Sequence, residues 1–240
     1  MDKVEYKQEF LDILRDLSIL VPGIILYKEK NELFILRKNV SDIYYRLSVP
    51  YKYLDFYGDY FAIRDFGEFY AFIKTLKDPE FFDIDSHLLV KDTQSQIKYP
   101  LTDEESFLME LDKLKKKDGV TWKNINFTDK PIFKCNFNRD LVKEIKNVAG
   151  RINNELVTLK VENNELTINC YISEEYPSWQ KVYKSDIKSD GACSFQCYTD
   201  VFNFLPLGVF TMEIDEDGCI KLELDHEEIK LEIIAAEAGG

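Results

Sequence analysis

Apolar residues along the chain recur with two different periods, one typical of helices and one typical of strands. A helical spacing near the start predicts an amphipathic helix over residues 4–19, and its apolar stripe is Phe10, Leu14 and Leu17. Alternating apolar and polar residues then predict strands over 23–27, 33–37 and 43–49. A second helix is predicted over 66–76, followed by an antiparallel hairpin. The first half is therefore an α+β unit.

The second half repeats this order of elements. A strand is predicted over 131–137 and a helix over 139–152, with Leu141, Ile145 and Val148 on its apolar side. Three more strands follow, over 157–161, 166–171 and 181–187. A closing segment over 194–231 again predicts a strand, a short helix and a hairpin. Two halves with the same element order indicate an internal duplication.

The closing segments of the two halves align at one fixed offset. Asp83 aligns with Asp215, an offset of 132 positions, and residues of matching physical type follow at the same offset. The pairs are Phe66 with Tyr198, Glu68 with Asp200, Phe69 with Val201, Phe72 with Phe204, Asp85 with Asp217, Leu88 with Ile220, Val90 with Leu222 and Ile97 with Ile229. Each aligned segment is predicted to contribute the same elements to its half.

The repeat divides the chain into two domains and a connector. We expect an N-terminal domain over 1–99 and a C-terminal domain over 131–240. Between them, residues 100–130 lack strand alternation, and their middle predicts a short helix that ends in four lysines: Lys113, Lys115, Lys116 and Lys117. A connector of this length is usually functional or mobile.

Composition indicates a folded, acidic protein. The 240 residues are 14% aromatic, and their formal net charge is −13, which argues against tight, purely ionic binding to DNA. The start of the chain lacks a signal-peptide pattern, and no apolar run is long enough to span a bilayer. Five cysteines without framework spacing favour a reducing compartment, so we expect a cytoplasmic protein with no membrane contact.

The residues that usually carry chemistry are sparse. His87 and His226 are predicted near hairpin turns, and Cys193 and Cys197 share a strand face without a second pair to complete a zinc site. The acidic run at 215–218 lacks the spacing of a calcium loop and is better explained as a turn. We therefore predict no catalytic residue, no metal site and no cofactor.

Basic residues follow two of the predicted helices. Arg139, Lys143 and Lys146 recur at helical spacing opposite the apolar side of their helix, and Arg151 continues near its end. Lys74 and Lys77 form a smaller pair at the end of the helix over 66–76. A charged stripe of this kind is either a solvated helix face or a surface that meets a polyanion.

The ordered repeat, joined by a long connector, resembles the DNA polymerase sliding clamps. It is similar to the T-even bacteriophage clamp and, more distantly, to proliferating cell nuclear antigen. The segments that carry the likeness are 23–27, 66–69, 83–88 and 130–133. The connector is longer here and adds the four lysines. The resemblance implies an α+β clamp fold with two tandem pseudo-repeat domains per chain, helices that line a ring and antiparallel sheets outside.

The resemblance also implies an assembly. Chains of this family close as head-to-tail homotrimers, and here the contact would join residues 94–98 of one chain to 181–187 of the next, with Gln96, Lys98, Lys181 and Tyr183 at the interface. Six cations would face double-stranded DNA without sequence specificity: Lys74, Lys77, Arg139, Lys143, Lys146 and Arg151. The acidic exterior would discourage DNA from binding outside the ring.

The expected partners follow from the same resemblance. A DNA polymerase would dock by a short peptide in a pocket formed by Val40, Val120, Trp122, Ile234 and Ala235, although Trp122 could equally anchor the connector. An ATP-dependent clamp loader would open the ring. Two alternatives remain, a non-ring phage structural or adaptor protein on the same duplicated fold, and an enzyme of unknown type.

Overall fold

The fold is described from a computed structural model of the chain. The chain divides into two compact units: unit 1 is Met1–Arg37 with Leu47–Val120, and unit 2 is Lys38–Arg46 with Thr121–Gly240. The structure describes all residues except 1, 30–31, 39–42, 57–59, 85–86, 103–129, 138–139, 141–142, 145–146, 149–155, 171–178, 204, 206–207 and 237–240. The domain boundaries expected at 99 and 131 remain a prediction.

Unit 1 contains a five-stranded sheet in which all neighbours are antiparallel. Its order is β5-β1-β7-β8-β9. The strands are β1 (Asp2–Tyr6), β5 (Leu54–Asp55), β7 (Glu80–Ile84), β8 (His87–Lys91) and β9 (Gln96–Pro100). Two neighbouring hairpins, β7 with β8 and β8 with β9, therefore place β9 at one edge.

The remaining strands of unit 1 include the predicted hairpin. β2 (Ile24–Glu29) pairs with β3 (Glu32–Lys38) and with β6 (Tyr60–Ile63). β4 (Ile43–Pro50) has its first four residues in unit 2 and the rest in unit 1, and a 3₁₀ turn (Tyr51–Tyr53) follows it. The strands predicted over 23–27, 33–37 and 43–49 are confirmed.

Two helices cover the apolar side of unit 1. α1 (Gln8–Ser18) buries its predicted stripe completely, since Phe10, Leu14 and Leu17 are each 0% exposed. α2 (Phe66–Ile73) begins at Asp65, whose side chain accepts from the Glu68 N–H at 2.9 Å. The Phe69 ring packs 5.2 Å from the Tyr99 ring of β9. α2 therefore lies over the edge of the sheet that β9 forms.

Unit 2 contains two antiparallel sets of strands. One has the order β10-β15-β16-β17 and the other β13-β12-β11-β14. The first comprises β10 (Phe133–Phe137), β15 (Phe210–Ile214), β16 (Ile220–Leu224) and β17 (Lys230–Ala235). The second comprises β11 (Leu156–Glu162), β12 (Glu165–Cys170), β13 (Trp179–Lys184) and β14 (Cys193–Tyr198).

The helices of unit 2 follow the predicted order. The helix predicted over 139–152, α3, is helical at each of its described residues between 140 and 148, which are Asp140, Lys143, Glu144, Asn147 and Val148. A short α4 (Asp200–Asn203) follows β14, as the repeat predicts. Its Val201 and Phe202 are both 0% exposed, so one turn of helix covers the strands.

Three expectations need correction. The first predicted helix began too early, because residues 2–6 form β1, which pairs with β5 and β7. α2 ends at Ile73 rather than 76, because the Thr75 and Leu76 N–H groups donate to the carbonyls of Phe72 and Ile73, three residues back, as in a turn and not as in an α-helix. The single offset of 132 also fails in detail, because Asp83 lies within β7 whereas Asp215 follows β15. The two hairpin turns differ in length.

An ion-pair network ties three strands of unit 2 together. Glu213 of β15 accepts from the Lys134 ammonium of β10 at 2.7 Å and contacts that of Lys221 of β16 at 3.1 Å, while its own side chain is only 11% exposed. Burial alone would raise the pKa of Glu213, but hydrogen bonds from Lys134 and Lys221 outweigh it, and the pKa lies below the usual value. The carboxylate therefore stabilises the sheet in its ionised form.

Glu213→Gln is expected to lower the free energy of unfolding by about 1–2 kcal/mol at neutral pH. Because the folded-state pKa is depressed, this contribution is complete above the unfolded pKa and is lost as the pH falls through the folded pKa. Urea denaturation at pH 7 and near pH 3 measures both parts. A difference between wild type and variant that stays constant across that range would contradict this account.

Candidate nucleic-acid interface and subunit edges

Three of the six predicted DNA-facing cations lie among the described residues. Lys74 and Lys77 follow α2, and Lys143 lies on α3; all three are exposed. Arg139, Lys146 and Arg151 lie outside the described residues. Lys74 and Lys77 are thus exposed beyond the end of α2, and Lys143 is exposed on α3; their contact with DNA stays a prediction.

Lys74 belongs to a cluster where α1 and α2 meet. Its ammonium lies 5.1 Å from the centre of the Tyr70 ring, and a hydrogen bond with the Tyr70 hydroxyl is the main cause of its raised pKa. The Tyr70 hydroxyl donates to Asp12, and Gln8 donates to the same Asp12 oxygen at 2.9 Å. Burial, followed by the bond to Asp12, raises the pKa of Tyr70. This network holds Lys74 in a defined position.

Arg15 is a second cation of this cluster, and the sequence pattern did not single it out. Its guanidinium carbon lies 5.2 Å from the Tyr70 ring centre, and its Nη2 atom contacts Asp16 at 2.6 Å. Its side chain is 40% exposed, whereas that of Asp16 is only 8% exposed. On α1 alone, Arg15 is one cation among acids, and only the packing of α2 brings it near Lys74.

Lys77 is held through its backbone. Asp92, in the turn between β8 and β9, accepts from the Lys77 N–H at 3.0 Å and from the N–H groups of Gln94 and Ser95 at 2.7 and 2.6 Å. These three donors lower the pKa of Asp92, with the Lys77 N–H the largest cause. The turn after α2 is thereby attached to the hairpin that carries β9.

β9 is an edge strand, and the hydrogen-bond pattern between β8 and β9 shows which of its backbone groups face away from the sheet. The Asp92 N–H donates to the Ser95 carbonyl at 2.9 Å, so these two residues are a hydrogen-bonded pair. From there, hydrogen-bonded and non-hydrogen-bonded residue pairs alternate along β8 and β9. Gln96 and Lys98 are therefore in non-bonded pairs, so their N–H and C=O groups point away from β8. Among the described residues, no strand pairs with this outer side of β9, where the two residues predicted at the interface present their backbone groups.

β13 is the edge of the four-stranded set in unit 2, and its predicted residues face inward. Lys181 forms an ion pair with Glu144 of α3 at 2.9 Å, and Tyr183 is 8% exposed. The Ser185 N–H donates to the Asn164 carbonyl at 2.8 Å, so these two residues are a hydrogen-bonded pair. Because hydrogen-bonded and non-hydrogen-bonded pairs alternate along β12 and β13, the backbone groups that point away from β12 belong to Gln180, Val182 and Lys184. Val182 is 48% exposed, an unusual position for a valine.

Only part of the predicted peptide pocket is described. Ile234 and Ala235 end β17 and are 4% and 2% exposed. Val40, Val120 and Trp122 lie outside the described residues, as do the four connector lysines. A groove of about 600 Å³ in unit 1 borders the first connector residues and is lined by Arg64, Tyr99 and Leu101, among others. Sequence patterns gave no signal for this groove.

The cysteines are free and mostly buried. Cys193 is half-buried and the other four are buried. Burial raises the pKa of Cys135 to about 12 and that of Cys170 to about 11, so these thiols stay protonated at neutral pH. Within the described part of the chain, no group of three or more His, Cys, Asp or Glu side chains is placed to hold a metal ion, and no helix is long and apolar enough to cross a bilayer.

Solved structures of clamps share this fold over nearly the whole chain. The chain is similar to the PCNA of A. fulgidus, solved with the C-terminal region of FEN-1 bound, at 14% identity and a TM-score of 0.68, covering 100% of this chain and 99% of that one. Proliferating Cellular Nuclear Antigen from Entamoeba histolytica is 10% identical with a TM-score of 0.70, and PCNA from Thermococcus kodakaraensis 11% with 0.67; each comparison covers 98% of both chains.

These similarities confirm the predicted fold class, an α+β clamp fold built from antiparallel sheets and a few helices. No protein-family model and no curated protein sequence matches the chain. The low identities, 10–14%, mean that the likeness concerns the fold.

Proposed function

We propose that this chain is a sliding clamp, which encircles duplex DNA as a homotrimeric ring and tethers a DNA polymerase for processive synthesis. The observation that carries the proposal is the pair of open edges. β9 ends a five-stranded sheet in unit 1, and β13 ends a four-stranded set in unit 2. β9 and β13 are thus terminal strands, one in each unit, and each has one side available for pairing with another chain.

Head-to-tail pairing of these edges satisfies both. β9 of one chain would pair with β13 of the next, so that five strands of one chain continue into four of its neighbour. The contact joins two different surfaces of the same chain, and such a heterologous contact gives a ring when the rotation closes. Gln96 and Lys98 would supply backbone groups from one side, and Gln180, Val182 and Lys184 from the other. Tyr183 and Lys181 would support β13 from beneath.

A ring explains how a chain of net charge −13 can work on DNA. Topology retains the duplex, so a strong ionic grip is unnecessary, and a few cations suffice to guide the backbone. Lys74, Lys77 and Lys143 would meet phosphates, together with Arg139, Lys146 and Arg151. Contacts to phosphates carry no sequence information, so binding would be non-specific.

The partners proposed are a DNA polymerase and an ATP-dependent clamp loader, and the chain itself would be non-catalytic. Its similarity to a PCNA solved with the C-terminal region of FEN-1 supports docking of partner peptides. The pocket would include Val40, Val120, Trp122, Ile234 and Ala235. Within the clamps, the sequence pattern favours the T-even bacteriophage type, and the protein would act in the cytoplasm of the host cell.

Light scattering tests the ring directly. We expect a mass three times the 28.2 kDa of one chain at micromolar concentration, and primer extension on a long template with cognate polymerase and loader should give longer products when the protein is added. A monomer at every concentration, with no effect on product length, would favour the non-ring adaptor and refute the clamp.

A further inference from the structure

The cluster between α1 and α2 carries as many anions as cations. We call it the α1–α2 seam, and its members are Asp12, Arg15, Asp16, Tyr70 and Lys74. Arg15 and Lys74 both lie close to the Tyr70 ring, at 5.2 and 5.1 Å from its centre. Asp16 pairs with Arg15 and Asp12 accepts from Tyr70. The formal charges of the seam therefore cancel.

The two acids of the seam differ in what they do for the fold. Asp16 is a buried residue, 6% exposed, and its ion pair with Arg15 offsets the cost of that burial. Asp12 is half-buried, and its oxygen also accepts from the exposed Gln8. A neutral amide at position 12 could accept the same two hydrogen bonds. The negative charge of Asp12 is therefore not required for the contacts that it makes.

Resting on the clamp proposed above, we infer that Asp12 limits the affinity of the seam for DNA phosphate. Arg15 on α1 and Lys74 at the end of α2 both contact a DNA phosphate, and the negative charge of Asp12 weakens this contact. A duplex backbone can then touch the seam and leave it quickly. Tyr70 is the positioning residue that holds Asp12, Arg15 and Lys74 at fixed distances from one another.

This role follows from the requirements of a ring. A ring that must move along DNA is slowed by every phosphate contact that has to break, while its retention does not depend on those contacts. Neutralising phosphates sets both the affinity and its dependence on salt. An acid beside two cations lowers both quantities without removing the cations that guide the duplex. The seam would thus let the ring move along the DNA, because its contacts with phosphate are weak.

Asp12→Asn tests this inference as a gain of binding. In the intact oligomer, we expect the variant to bind a short blunt-ended duplex about fivefold more tightly at low salt, the change expected for a unit charge a few ångströms away in water. Its affinity should also fall more steeply with salt than that of wild type. Fluorescence anisotropy of the labelled duplex over a salt series measures both quantities.

Three further variants serve as controls. Asp55→Asn removes one exposed negative charge on β5, outside the seam, and should leave the affinity unchanged. Gln8→Glu adds a carboxylate beside Asp12 and should weaken binding, which tests the idea even if Asp12→Asn folds poorly. Combining Asp12→Asn with Lys74→Gln should cancel most of the gain in affinity, because one of the two cations that contact the phosphate is then absent.

The outcomes separate this inference from the function on which it rests. If Asp12→Asn binds like wild type, or if Asp55→Asn gains as much, Asp12 does not limit affinity. The proposal of a clamp, which is tested by mass and primer extension, is unaffected by that result. If the wild-type oligomer and all variants fail to bind the duplex at low salt, the inference about Asp12 is refuted, whereas the clamp is refuted only by a monomer at every concentration with no effect on product length.

Discussion

Replacing Val182 by proline is expected to convert the proposed trimer into monomers of 28.2 kDa without unfolding unit 2. Val182 is in a non-bonded pair with Thr167 of β12, so its N–H points away from that strand. Proline removes this N–H and adds its ring on the open side, which edge strands tolerate. Each subunit contact would lose about 1–3 kcal/mol, and a closed ring loses this at every contact. Light scattering and circular dichroism measure mass and fold.

Two variants make this prediction specific. Val182→Ser keeps the N–H while removing the exposed apolar side chain, so it should weaken the trimer less than proline does. Lys98→Pro alters the outward position of β9 and should also give monomers. A mixture of Val182→Pro and Lys98→Pro chains retains one intact pairing of β9 with β13, and should therefore form dimers of one chain of each kind.

That mixture also provides the outcome that would contradict the pairing. If both proline variants remain trimers, neither edge is part of the contact. If the mixture stays monomeric while each chain is folded, the two edges do not meet each other. Either result would leave the clamp fold intact and remove the proposed arrangement of the ring.

The hairpins could be predicted from sequence because their partners are close along the chain. β2 and β3 are joined by a short polar turn, and β11 and β12 by Asn163 and Asn164, which both adopt positive φ. Asparagine is favoured at such turn positions. Local alternation and turn chemistry therefore agree in these segments, and the predicted strands differ from the observed ones by only a few residues.

β1 could not be predicted in this way, because its partners are distant. Val4 pairs with Phe81, and Tyr6 with Leu54. A five-residue segment directly before α1 carries too little pattern of its own, so it was merged with the helix. The fixed repeat offset failed for a related reason, since turns of different length shift the register within each half.

The candidate site likewise depends on contacts between residues that are far apart in the sequence. Lys74 and Lys143 could be found as exposed cations on predicted helices, and both are exposed. The seam could not be found, because Tyr70 and Asp12 are separated by 58 positions and meet only when α1 packs on α2. Likewise, both strands predicted at the interface are edge strands. Only the hydrogen-bond pattern between β12 and β13 shows that the backbone of Val182, and not that of Tyr183, points outward.

Phe69→Ala is expected to destabilise unit 1 far more than Phe72→Ala, although both residues lie on α2. Phe69 is 1% exposed and packs against Phe66, Phe81 and Tyr99, with ring centres 5.2–6.2 Å apart. Removing a buried phenylalanine ring costs about 3–5 kcal/mol. Phe72 is 43% exposed, so its removal should change the free energy of unfolding by about 0.5 kcal/mol or less.

The comparison is best made in the Val182→Pro background, where we expect the chains to be monomeric, so that assembly adds nothing to the measured stability. Urea denaturation followed by circular dichroism gives both values under identical conditions. Because the two substitutions remove the same atoms from the same helix, helix propensity cancels and the difference reports burial alone. Equal losses for Phe69→Ala and Phe72→Ala would mean that α2 does not turn its Phe69 side toward the sheet, and β9 would then lack the support that its role as an edge requires.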